Sequence, residues 1–110
     1  MTGQEPTESE SASGSLPPAA VRSVMRSQES RMRHCYELRS RRPEAAGEVT
    51  VSVVVGTGGR VDRATASTDV AVLQDAELFR CMQVVARALR FPEPSGGGSA
   101  EASYPWVFAP

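Results

Sequence analysis

Apolar residues recur at helical spacing in the first part of the chain. The stripe consists of Val21, Met25, Met32, Cys35 and Tyr36, and Val24 broadens it. Arg and Ser fill most of the positions between them, which is typical of an amphipathic helix. Ser15 is a candidate N-cap, the prolines at positions 17 and 18 suit the first turn, and Pro43 cannot continue the helix. The pattern predicts a first helix over about residues 18–42.

Alternation with a period of two marks the middle of the chain. Residues 47–55 read GEVTVSVVV. The valines at 49, 51, 53 and 55 fall on one face and Val54 adds an apolar residue to the other, so this segment predicts a central strand. Residues 56–59 (GTGG) accept positive φ, and the β-prone residues 60–68 follow them. Together these segments predict a β-hairpin.

A second helix and a last strand complete the pattern. Asp75 is a candidate N-cap for a helix that ends near Arg90. Its apolar stripe consists of Leu78, Cys81, Met82, Val85 and Leu89. Residues 94–99 (PSGGGS) then predict a flexible connector. Residues 102–108 predict a strand with three aromatic side chains on one face.

The order helix, strand, strand, helix, strand is that of a two-layer α+β domain. Because the first two strands form a hairpin, the second helix returns the chain so that the last strand pairs antiparallel beside the first. We therefore expect a three-stranded antiparallel sheet in the order second, first, third, with two helices on one face. This order leaves the last strand at an edge, where Pro105 is tolerated because proline has no N–H to donate.

Composition separates the N-terminal residues from the rest. Residues 1–16 contain Glu5, Glu8 and Glu10 among small polar residues, so we expect a disordered acidic leader. Residues 17–110 form one small domain, since 110 residues are too few for two. The net charge is -1 and all 12 basic residues are Arg, which argues against a dedicated nucleic-acid binder. We find no apolar run of about 18–20 residues and no signal-like N-terminus, so we expect no membrane span in this sequence.

Three patterns resemble functional sites. The Gly-rich residues 56–59 join two strands, whereas a phosphate-binding loop leads into a helix, so we expect a turn. His34 and Cys35 are neighbours in a helix and point about 100° apart, which argues against a nucleophile and base pair. With two Cys and one His, no metal site is expected. The Arg-rich face of the first helix, residues 22–42, either binds an anion or acidic partner or is a solvated face.

The two cysteines have three readings. Cys35 and Cys81 lie on the apolar stripes of the two helices expected to pack on the same face of the sheet, so they can meet as a disulfide. Their Cα atoms would then be about 4.4–6.8 Å apart. Alternatively, both remain reduced and buried, as in a reducing compartment. A small thiol enzyme using Cys35 is the third reading, and it requires an exposed sulfur with a low thiol pKa.

The last strand carries the candidate partner site. An edge strand exposes backbone donors and acceptors with which an extended peptide can pair. The candidate residues are Ser103, Tyr104, Pro105, Trp106, Val107 and Phe108. The alternatives are a plain structural edge and a contact between the two copies of a homodimer.

A set of short motifs in a fixed order resembles a known family. The motifs are RHCYE at 33–37, RPE at 42–44, GEVTVSVVV from 47, GGRV at 58–61, FRC at 79–81, RFPEP from 90 and YPWVF at 104–108. Together they resemble the TonB C-terminal domain, and they are most similar to its AgmX/PglI variant in myxobacterial gliding-motility and envelope proteins. The resemblance covers about residues 18–109.

The resemblance implies a non-enzymatic periplasmic module without a cofactor, which binds an extended segment of an outer-membrane or other envelope protein beside its last strand. In that family the domain passes on energy that an inner-membrane motor draws from the proton-motive force. The variant also implies a disulfide between the helices at Cys35 and Cys81. The sequence differs from full-length transducers in having no N-terminal membrane anchor and no long Pro-rich spacer. An upstream start, a standalone domain, another export route and a cytoplasmic location therefore stay open.

Overall fold

Helices cover one face of an antiparallel sheet in the computed structural model, which describes residues 7–8, 14–41 and 45–109. In chain order the elements are β1 (Thr7–Glu8), α1 (Pro18–Arg26), α2 (Glu29–Arg39), β2 (Gly47–Val55), β3 (Val61–Ser67), α3 (Ala76–Arg87) and β4 (Ala100–Phe108). The strand order is β1-β4-β2-β3. The predicted α+β class and the predicted order of the three long strands are confirmed. β1 is an additional two-residue strand on the outer side of β4.

β2 forms the centre of the sheet because its valines are β-branched and alternate along the strand. The valines at 49, 51, 53 and 55 are at most 1% exposed. In the register with β4, Val49 lies opposite Trp106 and Val51 opposite Tyr104. Aromatic and β-branched side chains therefore meet on the face that the helices cover, as the alternation predicts.

The Gly-rich residues between β2 and β3 form a tight turn, as predicted. Gly58 and Gly59 have φ values of +76° and +82°, a region that favours glycine. The Gly56 N–H donates to the Arg60 carbonyl at 2.8 Å and closes the hairpin. The turn leads into β3 and not into an α-helix, so it has no phosphate-binding geometry.

The prediction of one helix over residues 18–42 is wrong, because the chain forms α1 and α2 with a break between them. The Ser27 hydroxyl donates to the Val24 carbonyl at 2.6 Å. Such a side-chain bond competes with the helical ladder and bends helices. Gln28 then leaves the helical region, with φ -110° and ψ 19°. Among the described residues, the layer on the sheet therefore contains three helices and not two.

The ends of these two helices also differ from the prediction. Pro17 and not Ser15 is the N-cap of α1, because the backbone of Ser15 pairs with Ser95 instead. α2 ends at Arg39. The predicted end of the first helix at residues 42–43 lies outside the described residues.

Asp75 caps α3, as predicted. Its Oδ1 accepts from the N–H groups of Glu77 at 3.0 Å and Leu78 at 3.2 Å. Its Oδ2 accepts from the N–H of Arg41 at 2.7 Å, so the carboxyl also ties the segment after α2 to the start of α3. Burial raises the pKa of this carboxyl, but the three backbone donors and the charge of Arg41 lower it more. Its pKa therefore lies below the ordinary value of 3.8.

Replacing Asp75 with alanine is expected to lower the free energy of unfolding by about 1–2 kcal/mol, because three backbone donors lose their acceptor. Since the folded-state pKa is lowered, the stabilisation is present above the unfolded-state pKa and is lost as the pH falls through the folded-state pKa. Asp75→Asn is expected to weaken this acid dependence. Urea denaturation between about pH 2 and pH 7 measures it, with the exposed Asp69→Asn as control. Identical acid dependence in the wild type and Asp75→Asn would contradict the prediction.

Part of the predicted leader belongs to the folded domain. The N–H and carbonyl of Ser15 both bond to the backbone of Ser95 at 3.0 Å, which also ties down the predicted flexible connector. Leu16 is 2% exposed in the core. The folded domain therefore begins before the predicted boundary after residue 16. Leu16 buries apolar surface in the core, and Ser15 satisfies its backbone groups by pairing with Ser95. Residues 1–6 and 9–13 of the leader lie outside the described residues.

Truncation is expected to separate these two parts of the N-terminal segment. Deleting residues 1–13 removes β1, which pairs at two positions, and we expect a loss of less than about 1 kcal/mol. Deleting residues 1–16 also removes Leu16, and we expect a loss of about 2 kcal/mol or more. Thermal unfolding measures both, with Leu16→Ala in the full chain as the matched control. Equal melting temperatures for the two truncations would show that Leu16 contributes nothing.

Candidate functional site

The outer edge of β4 is the candidate partner site. On its inner side β4 pairs with β2 from Ala100 to Phe108. On its outer side it pairs with β1, with Thr7 opposite Ser103 and Glu8 opposite Ala102. This partial cover differs from the free edge that the sequence predicts. The outer edge therefore accepts an extended antiparallel segment from a distant part of the chain.

Alternate side chains of β4 enter the core. Tyr104, Trp106 and Phe108 are at most 2% exposed. Ser103 and Val107 lie on the opposite face of the sheet and are half-buried. The aromatic residues of the predicted site are thus unavailable to a partner. A partner at this edge would therefore bind the backbone N–H and C=O groups of β4.

Specific contacts hold the aromatic face of β4 to the helices. The Tyr104 hydroxyl accepts from Nε of Arg26 at 3.2 Å. The rings of Tyr36 and Phe108 stack with their centroids 4.7 Å apart and their planes within 2°. Trp106 packs edge-on against Tyr104 with centroids 5.0 Å apart, and its buried indole N–H has no hydrogen-bond partner among the described residues. A partner therefore meets a strand that α1 and α2 hold in place.

Pro105 indicates which backbone groups of β4 face outward. The register with β2 runs without a shift through Pro105, which lies opposite Thr50. Since proline has no N–H, we infer that its nitrogen lies on the side away from β2. Backbone directions alternate along a strand, so the N–H groups of Ser103 and Val107 share that outward direction. These are the donors that an added strand would meet.

The opposite edge of the sheet is built differently. β3 carries a bulge at Asp62, where the register with β2 shifts between Val54 and Val55. Asp62 and Arg63 are both exposed there. Bulges and charged side chains on an edge discourage pairing with another chain. Of the two edges, the outer edge of β4 is better suited to strand addition.

Cys35 and Cys81 form the predicted disulfide between α2 and α3, with their Cα atoms 5.6 Å apart. Cys35 is 1% exposed, whereas Cys81 is partly exposed. His34 is exposed next to this bond. In the bonded state Cys35 has no thiol for His34 to activate, so the readings with reduced thiols do not describe this structure.

The predicted Arg-rich face is divided by the break between α1 and α2. Arg26 on α1 is bonded to Tyr104. Arg31, Arg33 and Arg39 on α2 are exposed. Two of these, Arg31 and Arg39, line the groove between α2 and α3. The arginines therefore do not form one continuous face.

β1 is the part of the site that the sequence pattern does not reveal. It has two residues, which is too short for any alternation to show. Its pairing uses backbone groups, which every sequence provides. The β-branched Thr7 is the single local signal in its favour.

Among the described residues, no helix is long and apolar enough to cross a membrane. The same residues contain no group of three or more metal-ligating side chains. No family model, curated protein or solved structure matches the chain.

Proposed function

We propose that the domain is a non-enzymatic protein-binding module that recognises an extended segment of its partner by adding it to the outer edge of β4. The observation that carries the proposal is the pairing of β1 with Ser103 and Ala102. It is an antiparallel pairing of the kind a partner strand would make. An extended segment of another protein can pair with the same backbone groups of β4.

The chemistry of the edge supports backbone recognition. Backbone hydrogen bonds supply affinity without demanding particular side chains. The side chains of Tyr104, Trp106 and Phe108 serve the core, so they fix the position of the strand and do not select a partner. Specificity would then come from side chains of the partner that contact Ser103 and Val107, which are half-buried on the other face of the sheet.

A partner strand that overlaps Ser103 and Ala102 has to displace β1. The free energy needed to displace β1 is small because β1 pairs with β4 at only two positions. A partner that pairs along the rest of β4 gains more hydrogen bonds than β1 makes. The segment that contains Thr7 and Glu8 therefore acts as a weak competitor for the edge.

We further propose, from the resemblance of the sequence motifs to the AgmX/PglI variant of the TonB C-terminal domain, that the domain acts in the bacterial envelope. The partner would be an outer-membrane or other envelope protein in an energy-transduction, transport or motility complex. The disulfide between Cys35 and Cys81 supports an oxidising compartment such as the periplasm, because disulfides persist there. No cofactor enters the proposed function.

Peptide selection followed by mapping tests the proposal. Random peptides of about twelve residues, long enough to span β4, are selected on the full chain. We expect the selected peptides to shift the amide signals of β4 and to release β1 from Ser103. Peptides that shift other surfaces and leave β4 unchanged would contradict strand addition.

Two variants at one position separate backbone from side-chain recognition. Val107→Pro removes the outward donor, and we expect it to weaken binding at least tenfold. Val107→Thr keeps the N–H and is expected to bind like the wild type. Circular dichroism checks that both variants fold. If the two variants bind equally, the Val107 N–H does not contact the partner.

Sedimentation distinguishes partner binding at the β4 edge from homodimer formation through the same edge. We expect the full chain to sediment as a monomer, with β1 on its own β4 edge. A dimer that Val107→Pro dissociates would mean that the edge serves self-association instead.

A further inference from the structure

The outer surface of the helix layer carries an apolar patch around the disulfide. Among the described residues, three large hydrophobic side chains are exposed, Leu38 at 64%, Val72 at 53% and Val84 at 61%. Leu38 follows Cys35 by three residues on α2, and Val84 follows Cys81 by three residues on α3. Residues three apart are neighbours on a helix surface, so each lies beside its own cysteine. Two of the three exposed hydrophobic side chains therefore flank the disulfide.

Cationic side chains surround this patch. A depression of about 320 Å³ lies beside Arg31, and another of about 300 Å³ lies between Arg39 and Arg80. Both depressions reach Cys81. We call the disulfide face the surface formed by Arg31, Leu38 and Arg39 of α2, Arg80 and Val84 of α3, and the disulfide.

The disulfide face has the opposite charge to the chain as a whole. Of the described residues that line these two depressions, one is acidic, Glu77. Its Oε1 lies 3.6 Å from Nη1 of Arg80. The three arginines outnumber it, whereas the chain has a net charge of -1. Arg80 and Glu77 are 72% and 56% exposed, so solvent weakens their pairing and leaves the guanidinium accessible.

We propose that the disulfide face binds an acidic segment of a partner protein that places bulky apolar side chains on Leu38, the disulfide and Val84. Guanidinium groups pair with carboxylates through parallel hydrogen bonds, which fits an aspartate-rich or glutamate-rich segment. The apolar centre distinguishes such a segment from a free anion, because a free anion would leave Leu38 and Val84 in water. Cations around an apolar centre also speed encounter with an acidic partner.

This surface is separate from the β4 edge. It lies on the groove between α2 and α3, while strand addition uses the backbone of the sheet. A partner can therefore occupy both surfaces at once. The proposal does not depend on strand addition, and the two are tested with different variants.

A designed peptide pair tests the proposal on the full chain. The probe is a fluorescent peptide of alternating acidic residues and leucines, and its matched control replaces every aspartate and glutamate with asparagine and glutamine. Fluorescence anisotropy measures the dissociation constants, and amide-shift mapping locates the site. We expect the acidic probe to shift signals of α2 and α3 and to bind at least tenfold more tightly than the neutral control at low salt.

Matched substitutions test the two parts of the disulfide face. Arg39→Glu combined with Arg80→Glu is expected to weaken binding at least tenfold, whereas Arg63→Glu on the exposed side of β3 leaves it unchanged. Val84→Ser is expected to weaken binding about threefold or more, whereas Val72→Ser, at the other exposed hydrophobic position, has no effect. Equal effects of test and control variants would overturn the proposal.

Three other results would also overturn it. One is the absence of binding at millimolar probe, and another is a set of shifts confined to β4. The third is evidence that another part of this chain, or a second copy of it, covers the disulfide face.

If the chain's own N-terminal segment covered the disulfide face, replacing Glu5, Glu8 and Glu10 with glutamine would raise the affinity for the probe. A dimer in sedimentation that Val84→Ser dissociates would assign the face to a second copy.

Discussion

Cys81→Ala is expected to lower the free energy of unfolding by about 2–5 kcal/mol under oxidising conditions. The bond with Cys35 links residues 46 positions apart. The chain-entropy estimate for a loop of this length is about 4 kcal/mol. Because a small domain is stable by only about 5–15 kcal/mol, this is a large fraction of the total.

A reductant separates the effect of the bond from that of packing. Urea denaturation of the wild type with dithiothreitol is expected to approach the stability of Cys81→Ala, while the variant itself does not respond. Cys81 is the better position to change because it is partly exposed, whereas Cys35 is 1% exposed and its loss would leave a buried cavity. Equal midpoints for the wild type with and without reductant would contradict the prediction.

Gly59→Ala is expected to cost about 3 kcal/mol or more, or to prevent folding. Gly59 has a φ of +82°, and a Cβ there would lie 1.8 Å from the carbonyl oxygen of Phe91. The Phe91 N–H donates to the Gly59 carbonyl at 2.9 Å, so the two backbones cannot separate without losing this bond. The turn after β2 would have to detach from the segment after α3.

Gly58→Ala is the matched control for this substitution. Gly58 has a similar φ of +76°, but a Cβ there has nothing within 4 Å. Its expected cost is therefore the conformational term alone, about 1–2 kcal/mol. Urea denaturation followed by circular dichroism measures both variants. Equal losses would show that the approach of Phe91 is not what requires glycine at position 59.

The parts of the fold that follow from side-chain periodicity are predictable from the sequence. The valines of β2 alternate, and they form the central strand. Cys35 and Cys81 lie on apolar stripes, and these stripes face each other closely enough for the bond. In both cases burial of apolar side chains decides the structure, and the sequence records it directly.

Features that depend on backbone hydrogen bonds are not predictable in the same way. The break after α1 arises where the Ser27 hydroxyl bonds to a carbonyl, yet Ser occurs elsewhere in α1 without a break. β1 and the pairing of Ser15 with Ser95 also use backbone groups. Leu16 is a single apolar residue in a polar segment, so no period marks it.

The candidate site combines both kinds of feature. The aromatic alternation at Tyr104, Trp106 and Phe108 predicts which face of β4 is buried, and Pro105 predicts that the strand lies toward an edge. The presence of β1 on that edge is visible only in the structure. The disulfide face likewise depends on which side of α2 and α3 remains open once the two helices pack.

Amide hydrogen exchange on β4 tests strand addition most directly. With the full chain saturated by a selected peptide, exchange of the Val107 amide is expected to slow at least tenfold, because its N–H then bonds to a carbonyl of the added strand. The amide of Ala66 on β3 serves as the internal reference. Ala66 lies opposite Val51, so by the same alternation its N–H faces the outer edge of β3, and its exchange is expected not to change. If the peptide is bound and Val107 exchanges at its original rate, the partner does not add a strand to β4 and the proposed function is contradicted.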